Sequence, residues 1–510
     1  MATSPGRWRP GSGAAGGPGN VLGRGNAPGG RHRHAPRPLP HEVVPAPEAA
    51  GGRAPVPGSS CSACGGHGER GGDVPALGQG GSGVVTGTTA GTPLRNWAGN
   101  HTYAARVVHR PATLEQVQEL VAGAGRIGVL GSRHSFTAIA DSTELLSLEP
   151  LADGTGYPAD VVVDPGAGTV SLGGGVTYGR LAEALAPHGV ALHNLASLPH
   201  ISVAGAVATA THGSGVGNGN LATAVAALEL VTSDGAVRHA RRGDADFDGL
   251  VVGLGALGVV TRLTLDVEPA YEVRQRVYEG LSWETLQADP DAVLSCGYSV
   301  SLFTTWGRDV DLLWVKSRTD EPDPGDGELF GATPAPVDRH PIPALDPAPC
   351  TPQLGVPGPW SDRLPHFRTG FTPSAGDELQ SEYLVPRRHA AAALEAVRPL
   401  APRIRPLLQV CEIRAVAADR LWLSTAHGEP ALALHFTWRP REDDVRALLA
   451  DLEAALEPFG PRPHWGKLFR AGAAELSARY PRHADFVALA ERLDPRGAFR
   501  NDWLEEHVLG

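Results

Sequence analysis

The rhythm of apolar positions divides this chain of 510 residues. From Thr113 the pattern is helical: a threonine able to cap precedes Leu114, Val117, Leu120 and Val121 at helical spacing. A short apolar run, Gly128-Val129-Leu130, then ends in the turn Gly131-Ser132-Arg133-His134-Ser135-Phe136. Val161-Val162-Val163-Asp164 and Thr169-Val170-Ser171-Leu172 read as paired strands, Gly173-Gly174-Gly175 as a turn and 178–188 as a second helix. Strand-like runs follow at Leu228-Glu229-Leu230-Val231 and 259–267. The pattern changes after Pro269. Strands are predicted again only at 378–384, 409–416 and 431–438, with helices at 388–397 and 442–456. Between them, 320–375 is rich in Pro, Asp and Gly and reads as long connections laid over a second domain. A last helix, 485–493, is stopped by Asp494-Pro495-Arg496-Gly497. This alternation predicts an α+β fold rather than a regular βαβ array, and no internal repeat is present.

Composition separates off the N-terminus. Residues 1–92 hold 24 Gly and 12 Pro with one Trp and no Phe, Tyr or Ile. Such a segment buries too little apolar surface to offset its chain entropy, so a disordered tail is predicted there. It carries eight Arg against four acidic residues, so the net charge of −11 lies on the rest of the chain and argues against a nucleic-acid partner. The five cysteines, at 61, 64, 296, 350 and 411, are too sparse for a disulfide framework. Cys61-Ser62-Ala63-Cys64 has zinc or redox spacing but no second pair follows, and no metal is expected. No run approaches the ~20 apolar residues of a membrane span. With no apolar leader core and no twin arginine at the N-terminus, the default location is the cytoplasm.

Candidate chemistry begins at the 131–136 turn. A Gly-Ser turn straight after a strand exposes backbone N–H groups, a concavity suited to a pyrophosphate, and His134 lies against whatever the phosphates anchor. From Ser202 to Gly215 small residues dominate. They let backbone approach a flat ligand, with Ser and Thr hydroxyls to bond it; the plainer alternative is a tightly packed Gly/Ala core segment. Gly253-Leu254-Gly255-Ala256-Leu257-Gly258 matches the dinucleotide fingerprint, yet Val259 to Leu265 read as a strand where the fingerprint needs a helix. A glycine turn lining another cofactor remains. A period of two puts Glu412 and Arg414 on one strand face, and Ala431, Ala433, His435 and Thr437 on one face of the next, opposite Leu432, Leu434, Phe436 and Trp438. That is the signature of strands over a pocket, the alternative being an exposed sheet with a surface Glu-Arg pair. His464-Trp465-Gly466-Lys467 sets one lysine beside an aromatic and a glycine.

Together these segments are specific. The 131–136 turn resembles the phosphate-binding loop of the vanillyl-alcohol-oxidase flavoprotein superfamily. Asn96-Trp97-Ala98-Gly99-Asn100, Asn194 to Gly205, Thr211-His212-Gly213-Ser214-Gly215, Cys411-Glu412-Ile413-Arg414, His435-Phe436-Thr437-Trp438 and His464-Trp465-Gly466-Lys467 closely resemble the alditol oxidase and xylitol oxidase group within it, over more than 400 residues from about Leu94. The resemblance implies a PCMH-type FAD-binding domain over 94–270, an aldonolactone-oxidase-type cap of sheet and helices over 271–463, and a segment, 464–510, returning to the flavin.

It also implies FAD bonded covalently through His134. Contacts to it would come from Leu130, Gly131, Ser132, Arg133, Ser135, Phe136, Ser197, Ser202, Gly205, Ala208, Thr209, Thr211, His212, Gly213, Gly258, Val259 and Lys467. Arg133 departs from the glycine common in the superfamily. By the same resemblance Lys467 and Arg414 hold the reacting oxygen, Glu412 accepts bonds from neighbouring hydroxyls with its charge held by Arg414, Ser197 and Thr437 orient further hydroxyls, and His435 lies at the same wall. Ala196 matches a position tied to oxygen access. The implied reaction oxidises a terminal primary alcohol of a small polyol to the aldose with O2 as acceptor; a monomer is the default expectation, independent of the resemblance. The rivals are an aldonolactone oxidase, a dehydrogenase using another acceptor, and a non-catalytic flavin or carbohydrate binder.

Overall fold

The computed structural model describes residues 93–149, 161–371 and 378–510, together with the strand Thr86–Thr88. The predicted tail and its Cys61/Cys64 pair otherwise lie outside the described residues. One difference falls at the end of that tail. Thr86–Thr88 pairs antiparallel with Val107–His109.

Among the described residues the main strands form three sheets. The first runs Thr86–Thr88, Val107–His109, Glu144–Ser147, Gly128–Leu130, with the last three parallel. The helix Leu114–Gly123 opens as predicted, with the Thr113 side chain accepting from the Gln116 N–H. Its Val117 and Val121 join Ile127, Leu146, Val231, Val259 and the C-terminal Phe499 in one apolar cluster. The C-terminal segment is thereby packed into this part of the fold. The second sheet is antiparallel, in the order Val161–Asp164, Thr169–Gly173, Val259–Asp266, Val225–Val231, Val237–Arg241. The glycine triplet ending Thr169–Gly173 makes a close approach: a Cβ on Gly174 would stand 2.3 Å from the Val260 carbonyl oxygen.

The third sheet is nine-stranded and antiparallel. It contains the predicted strands, observed as Leu379–Pro386, Leu408–Val416 and Ala431–Trp438, and six that the pattern did not announce: the long Glu272–Leu281, Ser299–Thr304 and Val310–Arg318 and three of two residues each. Ser299–Thr304 is buried along its whole length, polar residues included, so its two faces show no alternation. Leu432, Leu434, Phe436 and Trp438 do lie in the core, with Leu394 and Val397 of helix Ala390–Val397 and Val445, Leu448, Leu452 and Leu456 of helix Glu442–Leu456. The other face carries Glu382, Glu412, Arg414, His435 and Thr437 on the three predicted strands, and a separate apolar cluster that includes Phe303, Leu312 and Trp314 beside them. Gly174→Ala is expected to destabilise the fold by about 1–3 kcal/mol, because the blocking atom is backbone and cannot rotate away. Thermal unfolding of the variant checks this; an unchanged Tm would contradict the close approach.

Candidate active site

A cavity of about 640 Å³ runs between the 131–136 turn, the 202–211 segment, the 253–258 turn and the polar face of the third sheet. Its size is that of a small-molecule or cofactor site.

At the turn, Arg133 adopts φ +62°, the left-handed region, which gives a physical reason for glycine there in related loops. The turn is clamped from three sides. The Trp97 N–H donates to the Arg133 carbonyl at 2.8 Å, the Asn96 and Asn100 side chains donate to the Ser135 and Phe136 carbonyls at 3.0 Å each, and the Phe136 N–H donates to the Gly466 carbonyl at 2.8 Å. His134 stacks on Trp97, with centroids 5.4 Å apart. Burial pulls its pKa down to about 4, so the ring is neutral, and its Nδ1 is buried with no hydrogen-bond partner. The helix Val203–Ala208 begins against the turn: the Ser202 N–H donates to Ser132 Oγ, and a Cβ on either Gly131 or Gly205 would come within 2.7 Å of Ser202 Oγ.

Strand register builds the opposite wall. Cross-strand partners place Phe303, Glu412, His435 and Glu382 in one row. Thr437 lies in the adjacent row on one side with Val410 and Gln380, and Arg414 in the adjacent row on the other side with Ala433 and Leu384. Glu382 is fully buried and binds two cations, Lys467 Nζ to Oε2 and Arg414 Nη2 to Oε1, both at 2.6 Å. His212 Nε2 lies 3.2 Å from Oε1. Burial alone would raise the Glu382 pKa, but Lys467, Arg414 and the two histidines outweigh it and hold the carboxyl well below its usual range.

Lys467 also reaches His435 Nδ1 at 2.6 Å, whereas Nδ1 is 3.4 Å from Glu382. The shorter contact decides the tautomer. Nδ1 accepts from Lys467, and Nε2–H donates to Thr437 Oγ1 at 3.2 Å. Burial, with Lys467 nearby, lowers the His435 pKa to about 4. Glu412 is bonded by His366 Nε2 at 2.8 Å; Arg414 Nε stands 3.6 Å from it, buried and without a hydrogen bond.

Most expected site residues therefore meet at one cavity: Leu130 to Phe136, Ala196, Ser197, Ser202, Gly205, Ala208, Thr209, Thr211, His212, Gly258, Glu412, Arg414, His435, Thr437 and Lys467 all line it. Two do not. The Val259 side chain turns into the apolar cluster behind the wall, and Gly213 packs against Leu195 and Asn194, where a Cβ would meet the Leu195 carbonyl at 2.4 Å. A third expectation changes in detail, since the tightest partner of Arg414 is Glu382 rather than Glu412. Glu382, Gln380, His366 and His464 line the cavity and were not singled out by the sequence reading. The period of two in Leu379–Pro386 carries the signal for two of them, since Gln380 and Glu382 share the face opposite Ser381, Tyr383 and Val385.

An FAD binding domain model matches residues 105–241, and a D-arabinono-1,4-lactone oxidase model matches 377–507. The chain is 51% identical over 424 residues to alditol oxidase from a Streptomyces species, covering 82% of this chain and all of the relative. It belongs to the alditol oxidase family. L-gulono-1,4-lactone dehydrogenase of Mycobacterium tuberculosis is 30% identical over 81% of this chain and 98% of that protein. L-gulonolactone oxidase of Mus musculus is 25% identical over similar shares. Among solved structures, a cholesterol oxidase from Brevibacterium sterolicum matches with a TM-score of 0.67 at 16% identity, covering 83% of this chain and 98% of that one. The fold is thus that of the FAD-binding flavoprotein oxidases. Within the alditol oxidase frame, two features fit FAD: the cavity walled by the 131–136 turn, and the buried, unpartnered His134 Nδ1. No helix among the described residues is long and apolar enough to cross a membrane.

The buried histidines set an acid limit. His366 and His435 take up protons near pH 6.5 when unfolded but only near pH 4 when folded. Between those values the unfolded chain binds the extra protons, so stability is full above about pH 6.5 and is lost as pH falls toward 4. Tm is expected to drop steadily from pH 7 to 5, and His435→Gln to flatten part of that slope; a flat wild-type profile would contradict neutral buried rings.

Proposed function

We propose that this chain is an FAD-dependent alditol oxidase, which oxidises the terminal CH–OH of an open-chain polyol of the xylitol or sorbitol type to the aldose while O2 becomes H2O2. The observation that carries this reading is the buried Arg414–Glu382–Lys467 cluster beside Glu412 and Thr437 on the cavity wall. Within that cluster Glu382 is paired with Lys467 and Arg414, and Glu412 with His366 and Arg414, so each charge is answered by the protein itself. A charged substrate would leave a buried charge uncompensated, whereas a neutral polyol brings only hydroxyls, each both donor and acceptor.

The 94–270 and 464–510 segments would hold the flavin and 271–463 would cover the substrate, a division supported by the cavity lying between the turn and the third sheet. The neutral, unpartnered His134 Nδ1 supports covalent attachment there. Bound FAD would supply the redox chemistry, accepting two electrons as hydride from the carbinol carbon and passing them to O2. The chain's own groups manage the oxygen and its proton. Lys467 spends two of its three N–H groups on Glu382 and His435 and keeps one for the reacting oxygen, and Arg414 Nε offers a second donor. As the alcohol proton leaves, these preorganised donors stabilise the developing alkoxide. The alcohol proton becomes the second proton of the H2O2, and neutral His435, whose Nδ1 accepts from Lys467 at 2.6 Å, keeps the ammonium aimed at the reacting oxygen. Glu412, Thr437 and Ser197 bind hydroxyls farther along the substrate. Ala196, small and on the cavity wall, supports oxygen as the acceptor.

Three outcomes are expected. Lys467→Met keeps its yellow flavin but loses about 10²–10³ in kcat; full turnover would sink the assignment. His134→Ala releases its flavin on acid precipitation, while the wild type stays coloured; colour retained by the variant places any link elsewhere. On a panel of xylitol, sorbitol, glycerol and aldonolactones, peroxide appears with the alditols first, and lactones as the better substrates would favour the lactone-oxidising relatives instead.

A further inference from the structure

Behind Glu412 lies a buried pair that the mechanism does not use. Lys316 sits within the strand Val310–Arg318, its ammonium shut off from solvent. Its Nζ meets three acceptors: the Leu364 carbonyl, the Pro365 carbonyl at 3.3 Å and His366 Nδ1 at 3.1 Å. Three acceptors match the three protons of an ammonium, the form Lys316 holds below about pH 7, since burial brings its pKa down to about 7. Because Nδ1 of His366 receives a hydrogen bond, the ring proton resides on Nε2, which lies 2.8 Å from Glu412 Oε1. Burial, with Lys316 adjacent, holds the His366 pKa at about 4, so the ring stays neutral. Phe303 and Trp314 fix it edge-on, with centroids 5.4 and 5.3 Å away. The same residue's backbone N–H donates to the Ser197 carbonyl at 3.2 Å. A single segment anchored by Lys316 thus touches both Glu412 and Ser197.

We propose that Lys316 and His366 are positioning residues for substrate recognition. Lys316 anchors the 364–366 segment and fixes the His366 tautomer. His366 then donates to one oxygen of Glu412, leaving the other for a substrate hydroxyl, and sets Ser197 in register beside it. This deepens the alditol oxidase reading and rests on it.

The test uses full-length holoenzyme with xylitol. His366→Asn keeps an acceptor near the Nδ1 position but cannot reach Glu412. His366→Gln places its amide nitrogen near the Nε2 position and can donate to Glu412. The Asn variant is expected to raise KM roughly tenfold or more, as loss of a hydrogen bond to a buried charged group does, with kcat changed far less and flavin absorption intact. The Gln variant is expected to restore KM to within about threefold, as expected when the bond to the charged group is regained. Lys316→Met should raise KM similarly, and the double variant Lys316→Met/His366→Asn no further, as for groups acting as one unit. Should Lys316→Met fail to fold, the two His366 variants decide alone. Unchanged KM in His366→Asn, or equal loss in Asn and Gln, overturns the proposal while wild-type turnover of xylitol upholds the functional reading. A wild type inert toward every alditol overturns both.

Discussion

A carboxylate taken wholly out of water costs several kcal/mol unless its surroundings answer its charge. Glu382 is such a carboxylate, and the site is arranged around answering it. Lys467 and Arg414 each approach to 2.6 Å on different oxygens, so their mutual distance is set by the width of one carboxyl group. Without it, two buried cations would face each other across the cavity wall. The Glu382 backbone adds a second constraint, because its carbonyl accepts the His464 N–H at 2.9 Å. One residue therefore aligns the sheet with the segment carrying Lys467.

That arrangement depends on the sheet having two unlike faces. Four bulky residues of Ala431–Trp438 bury one face against two helices, so the register across three strands is hard to slip. A slip by one residue would send Glu382, Glu412, Arg414 and His435 into the apolar side and the aromatics into the cavity. The hydrophobic core and the polar wall are two consequences of the same period of two.

For this reason much of the site was legible in the sequence. His435 and Thr437 stand out because they alternate with Leu434, Phe436 and Trp438, and Glu412 and Arg414 because they share one face of a strand whose other face is Cys411, Ile413 and Ala415. Glu382 obeys the same rule and is equally readable once Gln380 and Glu382 are set against Ser381 and Tyr383. Lys316 and His366 are of another kind. Lys316 interrupts a strand buried on both faces, where no alternation marks a side, and His366 sits in an irregular Pro-rich stretch that has no period. The composition of that stretch predicts a covering connection, yet His340, Ile342 and His366 in it line the cavity. Glycine signals were ambiguous in the opposite direction. Gly205 and Gly213 occur in one small-residue run, but Gly205 faces the cavity and Gly213 serves packing behind it. Small size announces a close approach without saying to what.

The two ends of the site are joined by very little chain. The Phe136 N–H donates to the Gly466 carbonyl, and Lys467 follows directly. The His134 turn and the Lys467 ammonium are therefore positioned through one backbone hydrogen bond and one peptide unit, although they lie far apart in sequence. Rate depends steeply on such separations, since a misplacement of about 1 Å can cost ~10²-fold. A cofactor anchored at His134 and an alcohol held by Lys467 would share a single reference frame, with Glu382 bracing it from the sheet. The sheet itself can then vary at positions facing the far hydroxyls, changing which polyol is accepted without moving the reacting oxygen relative to the turn.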